Sequence, residues 1–313
     1  MTVAVALMLG AGLVAWFGPR GLRRLTAVGV HPRVVLVAWL SSIVSVVTTS
    51  GLAVTALVLP DHGAHAFAGF PHCFEVLLHG SPPRVEALSG AVGVLLLAGL
   101  LVRLAVMGTG LVRRRARARR EHLAVLRLAA RLEPGSPTML WLDHEEPLAF
   151  SLAGCPGVVV ATEGLARRLA GAQVDAVLVH ERAHLRGRHH LLITAADAVS
   201  ALLPFLPLFR QAPTAVRELV ELAADAAAVR VCGAAVVRAA LTAVTGDGAP
   251  GSALAMGRDA VEARLAHLRY ADHHPGRTRT AVTCGIAGVI TMALPPFAAL
   301  SGLLTLVTLT CSA

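Results

Sequence analysis

The residues with the clearest chemistry are His180-Glu181-Arg182-Ala183-His184, an H-E-x-x-H pattern inside a run, Ala176 to Leu185, that reads as helix. Residues four apart share one helix face, so both imidazoles can address a single metal ion. Glu181 lies one step round, placed to serve a water at the metal without itself being a ligand. This is the arrangement of zinc hydrolases.

Two histidines leave a zinc ion short of ligands. Roughly forty residues further on, Arg217 to Ala228 forms a second helical stretch, rich in alanine and free of Gly and Pro. Glu221 and Asp225 are four apart on it and share a face. Glu221 can ligate the metal, with Glu218 as a rival. Asp225 can accept the outer N–H of a ligand histidine and set its tautomer.

H-E-x-x-H followed by Glu221-Leu222-Ala223-Ala224-Asp225 resembles the membrane gluzincin peptidases. These include the HtpX-type and CAAX-prenyl-type proteases and the cytoplasmic protease modules of BlaR-type beta-lactam sensors. Ala149 to Gly154 and Val158 to Leu165 resemble the strand pair and helix start ahead of the metal helix in that group. Val174 to Glu181 resembles its approach to the motif, and Arg188-His189 the pair that often ends the metal helix. The resemblance spans residues 120 to 270. It implies zinc held by His180, His184 and Glu221, with Glu181 as general base and Asp225 behind the ligands. Arg182 departs from the small or apolar residue common in the proteases. The transition-state stabiliser has three open candidates: Arg186, His189 and His190.

Composition points to a membrane. The 313 residues are 55% hydrophobic and 15% charged, more apolar than an ordinary soluble domain. Every basic side chain is arginine, and the formal net charge is +9. The arginines cluster beside apolar runs and the chain is poor in aromatics for base stacking, so lipid headgroups and topology explain the charge and no nucleic-acid partner is expected. Cys73, Cys155, Cys232, Cys284 and Cys311 show no C-x-x-C spacing, which argues against a zinc ribbon or a disulfide scaffold. A Cys73–Cys311 bridge and two free thiols both stay open.

Apolar runs at Val3 to Phe17, Val34 to Leu59, Ala91 to Val112 and Ala281 to Leu309 are candidate spans. Basic residues 18 to 33 and the run Arg113 to Arg120 mark the cytoplasmic side. The expected organisation is a membrane region of three helices (1–112), a cytoplasmic zinc protease domain (113–280) and a last transmembrane helix (281–313). A further apolar stretch, Leu191 to Phe209, carries Asp197, Pro204 and Pro207. One crossing there would part Glu221 from the histidines, so a zinc site requires it to be buried, re-entrant or lying on the membrane. Thr138 to Leu142 and the two runs flanking Cys155-Pro156-Gly157 read as short strands, the second a candidate open edge. Gly246 to Gly257 reads as a loop and Asp259 to Tyr270 as a helix.

The expected fold is mostly α: multi-pass membrane helices plus a zincin-like α+β catalytic domain with a small β-sheet. The expected function is an integral cell-membrane zinc metalloendopeptidase. Its substrate is a membrane-associated or cytoplasmic protein or peptide, a regulatory repressor being one candidate. The alternative is a catalytically silent membrane signalling or scaffold protein with a closed zinc site.

Overall fold

The computed structural model describes residues 2–58, 83–133, 136–154, 156–245, 254–269 and 277–311. Within them run α1 (Thr2–Ala27), α2 (Pro32–Val58), α3 (Pro83–Ala129), β1 (Ala130–Glu133), β2 (Ser136–Leu142), β3 (Ala149–Leu152) and β4 (Val158–Thr162). There follow α4 (Glu163–Arg168), α5 (Gly171–Arg186), α6 (His189–Leu202), α7 (Pro207–Cys232), α8 (Ala234–Thr245), α9 (Leu254–Arg269) and α10 (Arg277–Cys311). The architecture is mostly helical with one small mixed sheet.

Among the described residues, four helical stretches are long and apolar enough to cross a bilayer: Val3–Ala27, Pro32–Ala56, Ala91–Leu126 and Arg279–Gly302. The first is longer than its apolar run, because arginine is a good helix former and α1 continues through Arg20, Arg23 and Arg24. For the same reason α3 runs unbroken through Arg113 to Arg120. Leu95, Leu96 and Val106 on α3 are about two-thirds exposed or more, as side chains facing hydrocarbon would be. The Ser/Thr cluster of α2 packs helices. Ser45 donates to the Met292 carbonyl of α10 at 2.6 Å. That carbonyl lies four residues before Pro296, which has no N–H to offer it.

The stretch Leu191 to Phe209 is not one helix. α6 ends at Leu202 and α7 starts at Pro207. Ala196, Leu208 and Phe209 are buried in one core with Ala15, Val35 and Trp39 of α1 and α2. The two elements pack back along each other, which keeps Glu221 beside the α5 histidines.

The sheet has the order β1-β2-β4-β3. β2 and β4 run parallel, and β3 lies antiparallel to β4, pairing Ala149 with Ala161 and Leu152 with Val158. Every residue of β4 is buried, as suits a central strand, and β3 is the free edge next to α5. β1 extends the sheet directly from the end of α3. Thr162 caps α4: its Oγ1 accepts from the Leu165 N–H (3.2 Å) and donates to the Glu146 carbonyl (2.7 Å). Helix α9 starts at Leu254, so residues 254–257 are helical and not loop. Cys73 and Cys155 lie outside the described residues, as does the side chain of Cys311, and Cys232 and Cys284 are free thiols.

Candidate metal centre

Helix α5 carries His180, Glu181 and His184, and α7 carries Glu221 and Asp225. α7 is fixed by a nearly continuous buried face, including Val216, Leu219, Val220 and Ala224. Its partly exposed flank turns Glu221 toward α5.

His180, His184 and Glu221 each offer one ligand atom to a common point. His180 Nε2 is 3.1 Å from His184 Nε2. Glu221 Oε2 lies 3.4 Å from His180 Nε2, and its Oε1 lies 3.4 Å from His184 Nε2. Ligands about 2.0–2.1 Å from a tetrahedral zinc are about 3.3 Å from each other. The triangle of donor atoms therefore fits such an ion. Charge agrees: the Glu181, Glu221 and Asp225 carboxylates against the Arg264 guanidinium leave an excess of negative charge that a divalent cation balances. Glu218, the rival ligand, is exposed and lines a different cavity.

Each histidine is also held from behind. His180 Nδ1 is 2.9 Å from Asp225 Oδ1, and His184 Nδ1 is 2.9 Å from His189 Nδ1. These contacts aim both Nε2 atoms inward. His189 gets there by a sharp helix break. Gly187 ends α5, and Arg188 takes a left-handed conformation (φ 48°) before α6 begins. A Cβ on Gly187 would lie 2.3 Å from His189 Nε2, so only glycine permits this approach.

Arg264 of α9 is the residue that motif spacing does not reveal. Its Nε and Nη2 donate to Asp225 Oδ2 and Oδ1, both at 2.7 Å. Its Nη1 is 3.4 Å from Glu221 Oε2. One isolated arginine in an arginine-rich chain carries no periodic signal. Of the three stabiliser candidates, His189 backs His184, Arg186 is exposed, and His190 feels Arg119 and Arg188. None of the three lines the cavity at the donor triangle.

The electrostatics are those of a buried charged cluster. Burial disfavours protonated His180, but hydrogen bonds to Asp225 and Glu221 outweigh it and raise its pKa to about 9. Burial lowers His184 to about 4. Burial would raise Asp225, yet its bonds to Arg264 and His180 pull it down to about 2. Glu181 is raised by burial, and the charge on His180 and the Ser151 hydroxyl offset this only in part. An elevated carboxyl pKa suits a proton acceptor that must later give the proton back. Beside these groups lies a cavity of about 220 Å³ lined by aliphatic side chains such as Leu165, Val177, Val237 and Leu241.

A model of peptidase family M48 matches residues 113–280, more than half of the chain. The chain belongs to peptidase family M48. Among curated proteins, a protease HtpX homolog of Thermodesulfovibrio yellowstonii is 34% identical over 84 residues, 26% of this chain and 30% of that protein. A protease HtpX homolog of Aquifex aeolicus is 32% identical over 87 residues, 27% and 29% of the two chains. Protease HtpX homolog 1 of Streptomyces coelicolor is 37% identical over 78 residues, 24% and 26%. The matched region spans less than a third of the length of these relatives. No solved structure matches the chain. The apolar helices make this M48 protein a membrane protein, and His180, His184 and Glu221 are grouped closely enough to hold a metal ion.

Proposed function

We propose that the protein is an integral-membrane zinc metalloendopeptidase with His180, His184 and Glu221 as ligands, Glu181 as general base and Asp225 as the orienting carboxylate. The observation that carries this reading is the donor triangle of 3.1–3.4 Å with Glu181 lining the same cavity. Zinc held there would polarise a scissile carbonyl and acidify a water molecule. Glu181 takes the proton of the attacking water and returns it to the leaving amine. Asp225 and His189 hold the two imidazoles in register through the cycle.

The free edge of β3 lies beside α5, and its Ser151 reaches Glu181. An extended peptide added to that edge would gain backbone hydrogen bonds with little sequence preference. The adjoining aliphatic cavity would take an apolar side chain. The substrate class is a membrane-associated or cytoplasmic protein, a repressor included.

The chain crosses the cell membrane four times in this reading, with residues 113–280 in the cytoplasm. The arginines ending α1 and the Arg113 to Arg120 run support that orientation.

The test uses the full chain in detergent with an unstructured protein such as casein. Glu181→Gln should keep one zinc per chain and lose cleavage by a factor of at least 100. Cleavage by that variant at the parent rate would overturn the mechanism.

A further inference from the structure

A cavity of about 790 Å³ lies between the α1–α2 turn, α7 and α9, on a face of α7 next to the one that carries Glu221 and Asp225. That is within the range of small-molecule sites. Its walls are mainly apolar, with Val28, Leu219 and Leu222 among them, and they carry a few polar groups. Arg23 and Glu218 both line it. Neither makes an ion pair or hydrogen bond among the described residues. Trp39 also lines it, only 1% exposed, and its indole Nε1–H is buried with no acceptor. Thr26, His31 and His267 complete the polar lining.

Position narrows the ligand. α1 reaches this cavity at its basic end and α2 leaves it at Pro32, so the cavity sits where two candidate spans meet the protease region. The reservoir at that level is the lipid headgroup layer, where tryptophan is enriched.

We propose that this cavity binds a zwitterionic phospholipid of the phosphatidylethanolamine class. The phosphate pairs with Arg23, the ammonium pairs with Glu218, and the glycerol and first methylenes lie on Leu219 and Leu222. One consequence follows from the shared helices. α9 supplies Ala263 and Ala266 to this cavity and Arg264 to the metal centre, and α7 supplies Glu218 to one and Glu221 to the other. A bound lipid would brace both helices.

The experiment titrates the full chain, delipidated in detergent, with dihexanoyl phosphatidylethanolamine and follows binding by native mass spectrometry. The comparison ligands are dihexanoyl phosphatidylglycerol and inorganic phosphate. The parent should bind one phosphatidylethanolamine saturably, at least five-fold tighter than phosphatidylglycerol and far tighter than phosphate. Arg23→Gln, at an exposed position, should weaken it about ten-fold, the loss of one charge-assisted contact to the phosphate. Glu218→Gln, an exposed change that spares the fold, should erase the preference over phosphatidylglycerol. Absence of saturable binding, equal affinity for the two lipids in the parent, phosphate binding as tightly as lipid, or an unchanged preference in Glu218→Gln would each overturn the proposal. Zinc content measured on the same samples keeps this outcome separate from that of the proteolytic reading.

Discussion

Arg264 grips Asp225 with two hydrogen bonds of 2.7 Å, although the two are 39 positions apart in sequence. Asp225 in turn holds His180 at 2.9 Å. The chain Arg264–Asp225–His180 ties α9 and α7 to the histidine face of α5. Asp225 is almost fully buried, and Arg264 is its charge partner.

Arg264→Ala would therefore leave the buried Asp225 carboxylate with the His180 ring as its remaining partner among the described residues. Removing one partner of a buried pair costs about 3–5 kcal/mol, and Arg264 is slightly exposed, so the lower end of that range is expected. Arg264→Lys should recover little of it, because lysine cannot make the two-pronged contact. Chemical denaturation in detergent measures the loss. A variant within about 0.5 kcal/mol of the parent would argue that the pair does not hold α9.

Asp225→Ala should weaken zinc binding about 10- to 100-fold by releasing the His180 ring. Gly187→Ala should also weaken it, by pushing His189 off His184. Competition with a chelator of known affinity reads both. Parent-like affinity in both variants would remove the orienting role of the outer contacts.

Metal uptake should release a proton. Stripped of metal, His180 keeps its proton up to a pKa of about 9, while His184 at about 4 is already neutral near pH 7. Only neutral imidazole binds zinc, so the His180 proton has to leave. Affinity should rise about ten-fold per pH unit toward pH 9 and then level off. Calorimetry at pH 7.5 in buffers of different ionisation enthalpy should find at least one proton released, the His180 proton plus any lost by a water at the metal. A flat pH profile would contradict the Asp225-held His180.

Asp197 links the membrane helix α3 to α7. It accepts from Arg115 of α3 and, through both oxygens, from Arg217 Nη2 at 2.8 and 2.9 Å. Arg115 also donates to Thr194 at 2.6 Å. Arg217 lies one helical turn before Glu221. Both arginines are about half exposed, so solvent screening keeps the network weak. Asp197→Asn should cost about 1 kcal/mol. A double-mutant cycle between Arg115→Ala and Arg217→Ala should give non-additive losses. Additive losses would mean that the arginines do not communicate through Asp197.

The cluster was legible because its members repeat at helical spacing: His180 with His184, and Glu221 with Asp225. Both pairs lie on long, regular helices, where a four-residue step reliably gives one face. The requirement that Leu191 to Phe209 not cross the membrane in one pass also came from the sequence, through the short reach of metal–ligand bonds. The structure meets it with the turn between Leu202 and Pro207. Arg264 was hidden, because pairing across 39 residues leaves no local pattern. His189 was visible as part of an Arg-His pair, but its partner depends on the backbone break at Arg188, which no propensity favours in a non-glycine residue. Strand β1 escaped because its four residues continue straight from a long helix. Hydropathy also ended α1 too early, since it registers where apolar residues stop and not where the helix does.

The most direct measurement is zinc-edge X-ray absorption on the full chain, paired with metal analysis of Glu221→Ala. The account predicts one zinc per chain with two imidazole nitrogens and carboxylate oxygen at about 2.0–2.2 Å, and loss of most of the metal in Glu221→Ala. A sulfur shell at about 2.3 Å, or full zinc occupancy without the Glu221 carboxylate, would contradict it.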